Sequence, residues 1–530
     1  MRIPVWADLW AELRADGACP LIAGIGPPAL GEDMASAGEP GNPSAQATAA
    51  QATAAQATAA LAHGGRTNFA GFLLRLSARF PFLVIAARLY GADDLGRFAY
   101  ATMVVEFVAA LATVGLKRGL SGEMARGDQP EAHVLADGWL IGLMLSMLGV
   151  AVLILAPGLM FPDGNAAGAE RWFALIVPAI VLADVSLAGL AFRHRIAVAV
   201  RARSVIEPWV LTIAATLLAF TVWKAGGLLI AYILSLVAAI IAALMPALRE
   251  FGPPEGWRPS LSRLATITWR NLPLAGADLV EWATRRLDIF ILGRFASAEV
   301  VGLYFVAQQV ATLAGRIRSS FDPILVPMLS RALKAGRPGE AADSLNQVGF
   351  WVLSFQLPVV LALGLPAEGV LGLFGPEFAA GALVLALLLA TELAAAGGGL
   401  SEIGLIFARP KANLAIASAG LALQALLSLW LVPIHGGAGA AGALFLSVVA
   451  VGIARQWLMG HVLGHAVGFW RWSLLGAGAA AFALGYAARS LPELWEMLVT
   501  IPGVLLLFAA LIWRFGYGPK DRLLIRRARN

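Results

Sequence analysis

Polar and apolar positions along this chain fall into long blocks. From about residue 68 to residue 517 one apolar run follows another, with short polar loops between them. A helix of roughly 20 apolar residues crosses the hydrocarbon of a bilayer, and only helices or closed barrels satisfy the backbone there. The pattern predicts about fourteen such helices, over 67–88, 94–116, 134–160, 171–192, 205–223, 226–248, 265–293, 299–329, 344–365, 379–408, 411–433, 438–460, 472–489 and 495–516.

Composition agrees. The chain is 59% hydrophobic and only 14% charged, against about 25% charged in soluble proteins. The net charge of +6 does not point to nucleic acid, because the excess lies in loops. Loops after even-numbered helices carry Lys117 and Arg118, Arg193 and Arg195, Arg201 and Arg203, Arg249 and Arg258, Arg331 and Lys334, Arg409 and Lys411, and Arg471. Loops after odd-numbered helices hold few: Arg97, Arg171, Lys224, Arg294 and Arg489. The positive-inside rule then places both termini in the cytoplasm. The single cysteine, Cys19, forms no disulfide within the chain.

Residues 1–65 differ from the rest. Three copies of Ala-Gln-Ala-Thr-Ala run from Ala45 to Ala59 after a proline-containing stretch. Such sequence has too little bulky apolar surface to order itself, so a disordered tail is expected there. A basic tail is expected over 519–530, with helices between.

An offset of 206 lays Ile85, Arg88, Ala92, Gly96, Ala101 and Val104 on Ile291, Arg294, Ala298, Gly302, Ala307 and Val310, with Asp93 on Glu299. The match carries helices 1–2 onto helices 7–8, as in parallel repeats about an axis along the membrane normal. The stretch Arg88-Leu89-Tyr90-Gly91-Ala92-Asp93-Asp94-Leu95-Gly96-Arg97-Phe98, Val114-Gly115-Leu116 with Arg118, and Asp322-Pro323 through Ser330 together resemble the signatures of polysaccharide-lipid flippases. These belong to the multidrug/oligosaccharidyl-lipid/polysaccharide (MOP) exporter superfamily. The resemblance covers about residues 66–462. It implies an all-α integral membrane protein with two six-helix lobes around a central cavity: an N-lobe over 66–250 and a C-lobe over 251–462. Two extra helices over 463–518 would follow.

Charges inside the spans are the candidate chemistry. A charge at bilayer depth costs about 2.5–3.5 kcal/mol on the insertion scale, so it faces protein or a wet cavity. Helix 1 holds Arg75 and Arg79; helix 7 holds Asp278, Glu281, Arg285 and Asp288 in one stripe, with Arg286 beside it; helix 8 holds Gln308, Thr312 and Arg316. Arg75, Arg79, Arg285, Arg286 and Arg316 are the candidate ligands of an anionic substrate, with Arg79 and Arg285 equivalent under the repeat. Asp278, Glu281, Asp288 and Glu392 are candidates for ion coupling or for a structural charge network; both roles stand open. Glu106 and Asp184 are candidates for lining the cavity. No metal or cofactor is implied, and no phosphate-binding Gly-rich loop with its lysine is present.

The expected function, not enzymatic, is flipping of a polyprenyl-diphosphate-linked oligosaccharide by alternating access. The expected partners are that lipid-linked glycan, membrane lipids and glycan polymerase or export machinery. A cation-coupled multidrug exporter of the same superfamily is the alternative, with an acidic or apolar cavity. A membrane glycan polymerase or ligase would need a large outward loop, and the longest here, about 161–170 and 366–378, are short.

Overall fold

Each predicted apolar run folds as a helix wherever the structure, a computed structural model, describes it: residues 79–162, 164 and 170–517. The Ala-Gln-Ala-Thr-Ala tail, Arg75 and the basic stretch 519–530 lie outside the described residues.

Helix α1 (79–90) and helix α2 (92–112) meet at Gly91, whose φ of +84° breaks the helical run. Their antiparallel return is marked by Phe82 and Phe98, whose rings lie 5.9 Å apart across the turn. A short α3 (Leu116–Ala125) leads to α4 (Glu131–Leu155), α5 (Val177–Phe192), α6 (Ile196–Val200), α7 (Glu207–Leu218) and α8 (Gly227–Phe251), completing the N-lobe. The C-lobe holds α9 (Leu261–Phe295), α10 (Ala298–Ser319), α11 (Asp322–Lys334), α12 (Pro338–Gly364), α13 (Ala367–Gly372), α14 (Ala382–Ala408) and α15 (Pro410–Leu463). The extra pair, α16 (Trp472–Ala488) and α17 (Glu493–Leu511), packs on α12.

Among the described residues, nine helices are long and apolar enough to cross a membrane by length and composition. Two of these hold two passes each. One is 79–125; the other is α15, which reverses at Gly436 (φ 53°, ψ −128°). Three contacts establish the reversal: Arg455 Nε donates to Asn413 at 3.1 Å, Gly420 packs on Val451, and Gly439 packs on Leu431. In each pair the two residues lie nearly equally far from a turn near 435, as in an antiparallel hairpin. With α7, α16 and the charged α9 the passes are fourteen, as the apolar pattern predicts.

Two boundaries differ from expectation. Helix 8 does not run unbroken to 329: α10 ends at Ser319 and α11 starts afresh at Asp322, with Pro323 in its first turn, where a missing N–H costs nothing. Helix 5 begins earlier than 205. Residues Arg201–Ile206 form a π-helical turn joining α6 to α7. Pro208 lacks the N–H that would bond Ser204 in an α-helix, which favours the wider turn. Arg201 and Arg203 therefore sit in a helix rather than in a loop.

The passes alternate between two ends of the bundle. One end carries the linker 252–260 between lobes; the other carries the tight turns at Gly91 and Gly436. At the linker end, α9 is tied to the opposite lobe. Asp137 of α4 is fully buried and takes two hydrogen bonds from Arg263, at 2.5 and 2.8 Å, and one from Trp257 Nε1 at 2.9 Å. At the turn end, α2 crosses α10 in backbone contact. A Cβ on Gly96 would strike the carbonyl of Ala298, and one on Gly302 would strike the carbonyl of Ala92. These are the residues that the 206 offset makes equivalent, so the repeat is a pseudo-two-fold axis and the glycines lie on it.

Candidate functional site

Between the lobes lie two chambers in series. The larger, about 750 Å³, opens among α2, α3, α5, the π-turn and α9. The inner one, about 340 Å³, lies towards the turn end, among α1, α2, α7, α8, α9 and α10. Glu106, Arg203, Glu207 and Tyr232 line both and form the wall they share.

That wall is built by the π-turn. It aims Arg203 at Asp184 of α5 and at Glu207, one turn on, whose carboxylate lies 2.8 Å from Nη1. Tyr232 of α8 donates to Glu106 of α2 at 3.2 Å. Lys117 stands 4.0 Å from the other Asp184 oxygen. Sequence reasoning named Glu106 and Asp184 but assigned Arg203 to a loop and passed over Glu207 and Tyr232. The signal available was the Arg203–Glu207 spacing of four, which stacks the two on one helical face.

The α9 charges divide by direction. Asp278 and Glu281 face the larger chamber and both bind Arg118 of α3, Asp278 at 2.8 Å, so this pair bridges the lobes. Arg285 lines the same chamber and reaches Glu281 at 3.2 Å. Arg286, about 100° further round the helix, points into the inner chamber with Arg79 of α1. Asp288 turns away from both. It is 1% exposed and accepts from Tyr304 at 2.6 Å and Gln308 at 2.9 Å within the C-lobe.

The remaining candidates lie deeper in the C-lobe. Arg316 lines neither chamber and sits, with Arg318, within electrostatic range of Glu392 of α14. The glycines 397–399 do not break α14: Gly398 meets the backbone of Gly452, and the Arg318 guanidinium lies over Gly399. Glu402 pairs bidentately with Arg455, both bonds 2.9 Å.

The two chambers thus differ in charge. Apart from the shared wall, the charged side chains that line the inner chamber among the described residues are Arg79 and Arg286, one from each lobe. The larger presents Lys117, Arg118 and Arg285 against Asp184, Asp278 and Glu281.

Residues 85–375 match a family described as polysaccharide biosynthesis protein. Among solved structures, the chain is similar to the lipid II flippase MurJ in an inward closed conformation, with 12% identity, a TM-score of 0.69, and coverage of 84% of this chain and 98% of that one. It is also similar to a multidrug resistance MATE family transporter of the MOP superfamily in an inward-facing conformation, with 15% identity, a TM-score of 0.59, and coverage of 74% and 98%. Comparison with curated proteins gives no match.

Proposed function

From the premise that the chain belongs to the polysaccharide biosynthesis protein family and has the MOP-superfamily transporter fold, we propose that it flips a polyprenyl-diphosphate-linked oligosaccharide. The membrane is a bacterial inner membrane, and the cargo is a precursor of O-antigen, capsule or exopolysaccharide, handed on to polymerase or export machinery. The observation that carries this reading is the pair Arg79 and Arg286, which bring cationic forks from opposite lobes into one chamber. A guanidinium pairs bidentately with phosphate oxygens, so two can grip a diphosphate while the lipid tail stays in the bilayer. Rocking of the lobes about that point would expose it to each side in turn.

Flipping of a labelled polyprenyl-diphosphate sugar in vesicles tests this directly. Arg79→Ala or Arg286→Ala should slow it roughly thirtyfold or more, the cost of losing charge-assisted hydrogen bonds to the diphosphate. Folded protein should remain abundant. Lysine at either position should restore only part, because an ammonium lacks the fork. An alanine variant that flips at the parent rate removes that arginine from the substrate site. The alternative, a cation-coupled multidrug exporter, draws on Glu106 and Glu207 in the shared wall; it predicts efflux of an organic cation and no flipping by the same vesicles.

Orientation follows from the basic residues of the linker end, among them Arg126, Arg193, Arg249 and Lys334, which the positive-inside rule assigns to the cytoplasm. A reporter active only in the periplasm should give no signal when fused at Asn530. A strong signal there would invert the assignment.

A further inference from the structure

The larger chamber has the chemistry of a carbohydrate seat, and its charge selects among carbohydrates. Among the described residues, each cation on its wall has a carboxylate beside it: Asp278 and Glu281 for Arg118, Glu281 for Arg285. Arg203 is held by Asp184 and Glu207, and Lys117 stands beside Asp184. With Glu106 counted, the acids among the described residues of this wall exceed the bases by one. A carboxylate has about four acceptor sites, so these groups retain capacity to accept from hydroxyls, while the wall offers an incoming anion no net positive charge.

Trp282 adds the second element. It projects from α9 onto the same wall, with its ring 4.4 Å from that of Phe107. Its Nε1–H is buried and meets no acceptor among the described residues. An orphaned buried donor costs about 1–3 kcal/mol; a small turn of the indole towards the chamber would let a ligand oxygen accept from it and recover that cost. An indole offers a flat apolar face and one donor at its edge, and a pyranose offers an apolar C–H face ringed by hydroxyls.

We infer that this chamber seats the glycan, with Trp282 as its stacking platform, and that the glycan it accepts is uncharged. This rests on the reading above, in which Arg79 and Arg286 hold the diphosphate. A uronic acid, or any sugar carrying its own anion, would be placed among carboxylates, and like-charge juxtaposition costs several kcal/mol.

The test uses the full chain in liposomes and two labelled probes: polyprenyl diphosphate carrying a neutral disaccharide, and the same lipid carrying that disaccharide with its distal sugar oxidised to a uronate. The neutral probe should flip at least about tenfold faster, from the like-charge penalty. Trp282→Ala should slow the neutral probe about tenfold, the scale of an aromatic contact plus one hydrogen bond. Trp282→Phe should recover part of that loss. The comparison of two probes on the parent protein needs no variant, so it holds even if Trp282→Ala folds poorly. Equal rates for the two probes overturn the inference, as does Trp282→Ala flipping the neutral probe at the parent rate in folded protein. If equal rates still depend on Arg79, only the glycan inference falls. If neither diphosphate-linked probe moves, the flippase reading falls and takes this one with it.

Discussion

A protein carrying Gly302→Leu will insert and fold but will not transport. At the turn end, α2 and α10 touch backbone to backbone. The Gly302 amide nitrogen would lie 2.7 Å from a Cβ placed on Gly96, and the Gly96 nitrogen 3.1 Å from one on Gly302. No side chain fits there without moving a helix. Relief is available, because the contact joins two lobes rather than two elements of one core. Overpacking of about 1–3 kcal/mol is therefore met by separation at this end, and each lobe's interior is left alone. Alternating access requires closure at each end in turn, so a lobe pair wedged open here cannot complete a cycle. Flipping in vesicles should fall to background, with Gly302→Ala intermediate and Gly96→Leu equivalent to Gly302→Leu. In a background of Cys19→Ser, a Thr102→Cys probe in the inner chamber should become reactive to an impermeant maleimide from the turn end only in the wedged variants. Normal flipping by Gly302→Leu would show that this contact does not open during transport.

Arg263→Ala will be the most damaging single change to stability among the described ion pairs. It leaves Asp137, 0% exposed, with Trp257 as its one remaining side-chain donor among the described residues. Stranding one charge of a buried pair costs about 3–5 kcal/mol. The partners are not equivalent, because the Arg263 side chain is 25% exposed and can turn to water. Asp137→Asn should accordingly cost about 1–2 kcal/mol, the scale of a weakened hydrogen-bond set. Asp137→Leu with Arg263→Met should recover most of the loss, since apolar replacement of a whole buried pair is often neutral. Thermal unfolding of detergent-solubilised protein measures all three. Equal losses from Arg263→Ala and Asp137→Asn would mean that the pair is hydrated and contributes little.

Much of this architecture was legible because lipid imposes a length. Fourteen runs of apolar residues had to become fourteen passes, even where α15 continues as one helical segment past its hairpin at Gly436. The repeat was legible too, and Ala92, Gly96, Ala298 and Gly302 turned out to touch across the axis that relates them. What remained hidden was rotation about helix axes. Arg285 and Arg286 are neighbours in sequence, yet they enter different chambers because one residue is about 100° of turn. The repeat offset favoured Arg285 as partner of Arg79, whereas Arg286 shares its chamber. Asp288 left the acidic stripe for a similar reason: 3.6 residues per turn carries it some 80° from Asp278, enough to face α10. Arg203 escaped because Arg193, Arg195, Arg201 and Arg203 together read as a basic loop, and apolar periodicity does not show the π-turn that redirects it. Trp282 escaped because a tryptophan in an apolar helix usually faces lipid.

The bond between Asp137 and Arg263 also sets a scale of motion. It fixes the foot of α9 to the lobe opposite the one its tip belongs to, and Pro273 stands just above that foot. From Pro273 to Phe295 the helix rises roughly 33 Å at 1.5 Å per residue. A change of about 10° in the bend at the proline, within the range proline kinks span, sweeps its far end through roughly 6 Å. That is wider than the thickness of a sugar ring. A lever anchored in one lobe and carried by the other thus converts a small flexion near one membrane surface into a passage at the opposite one.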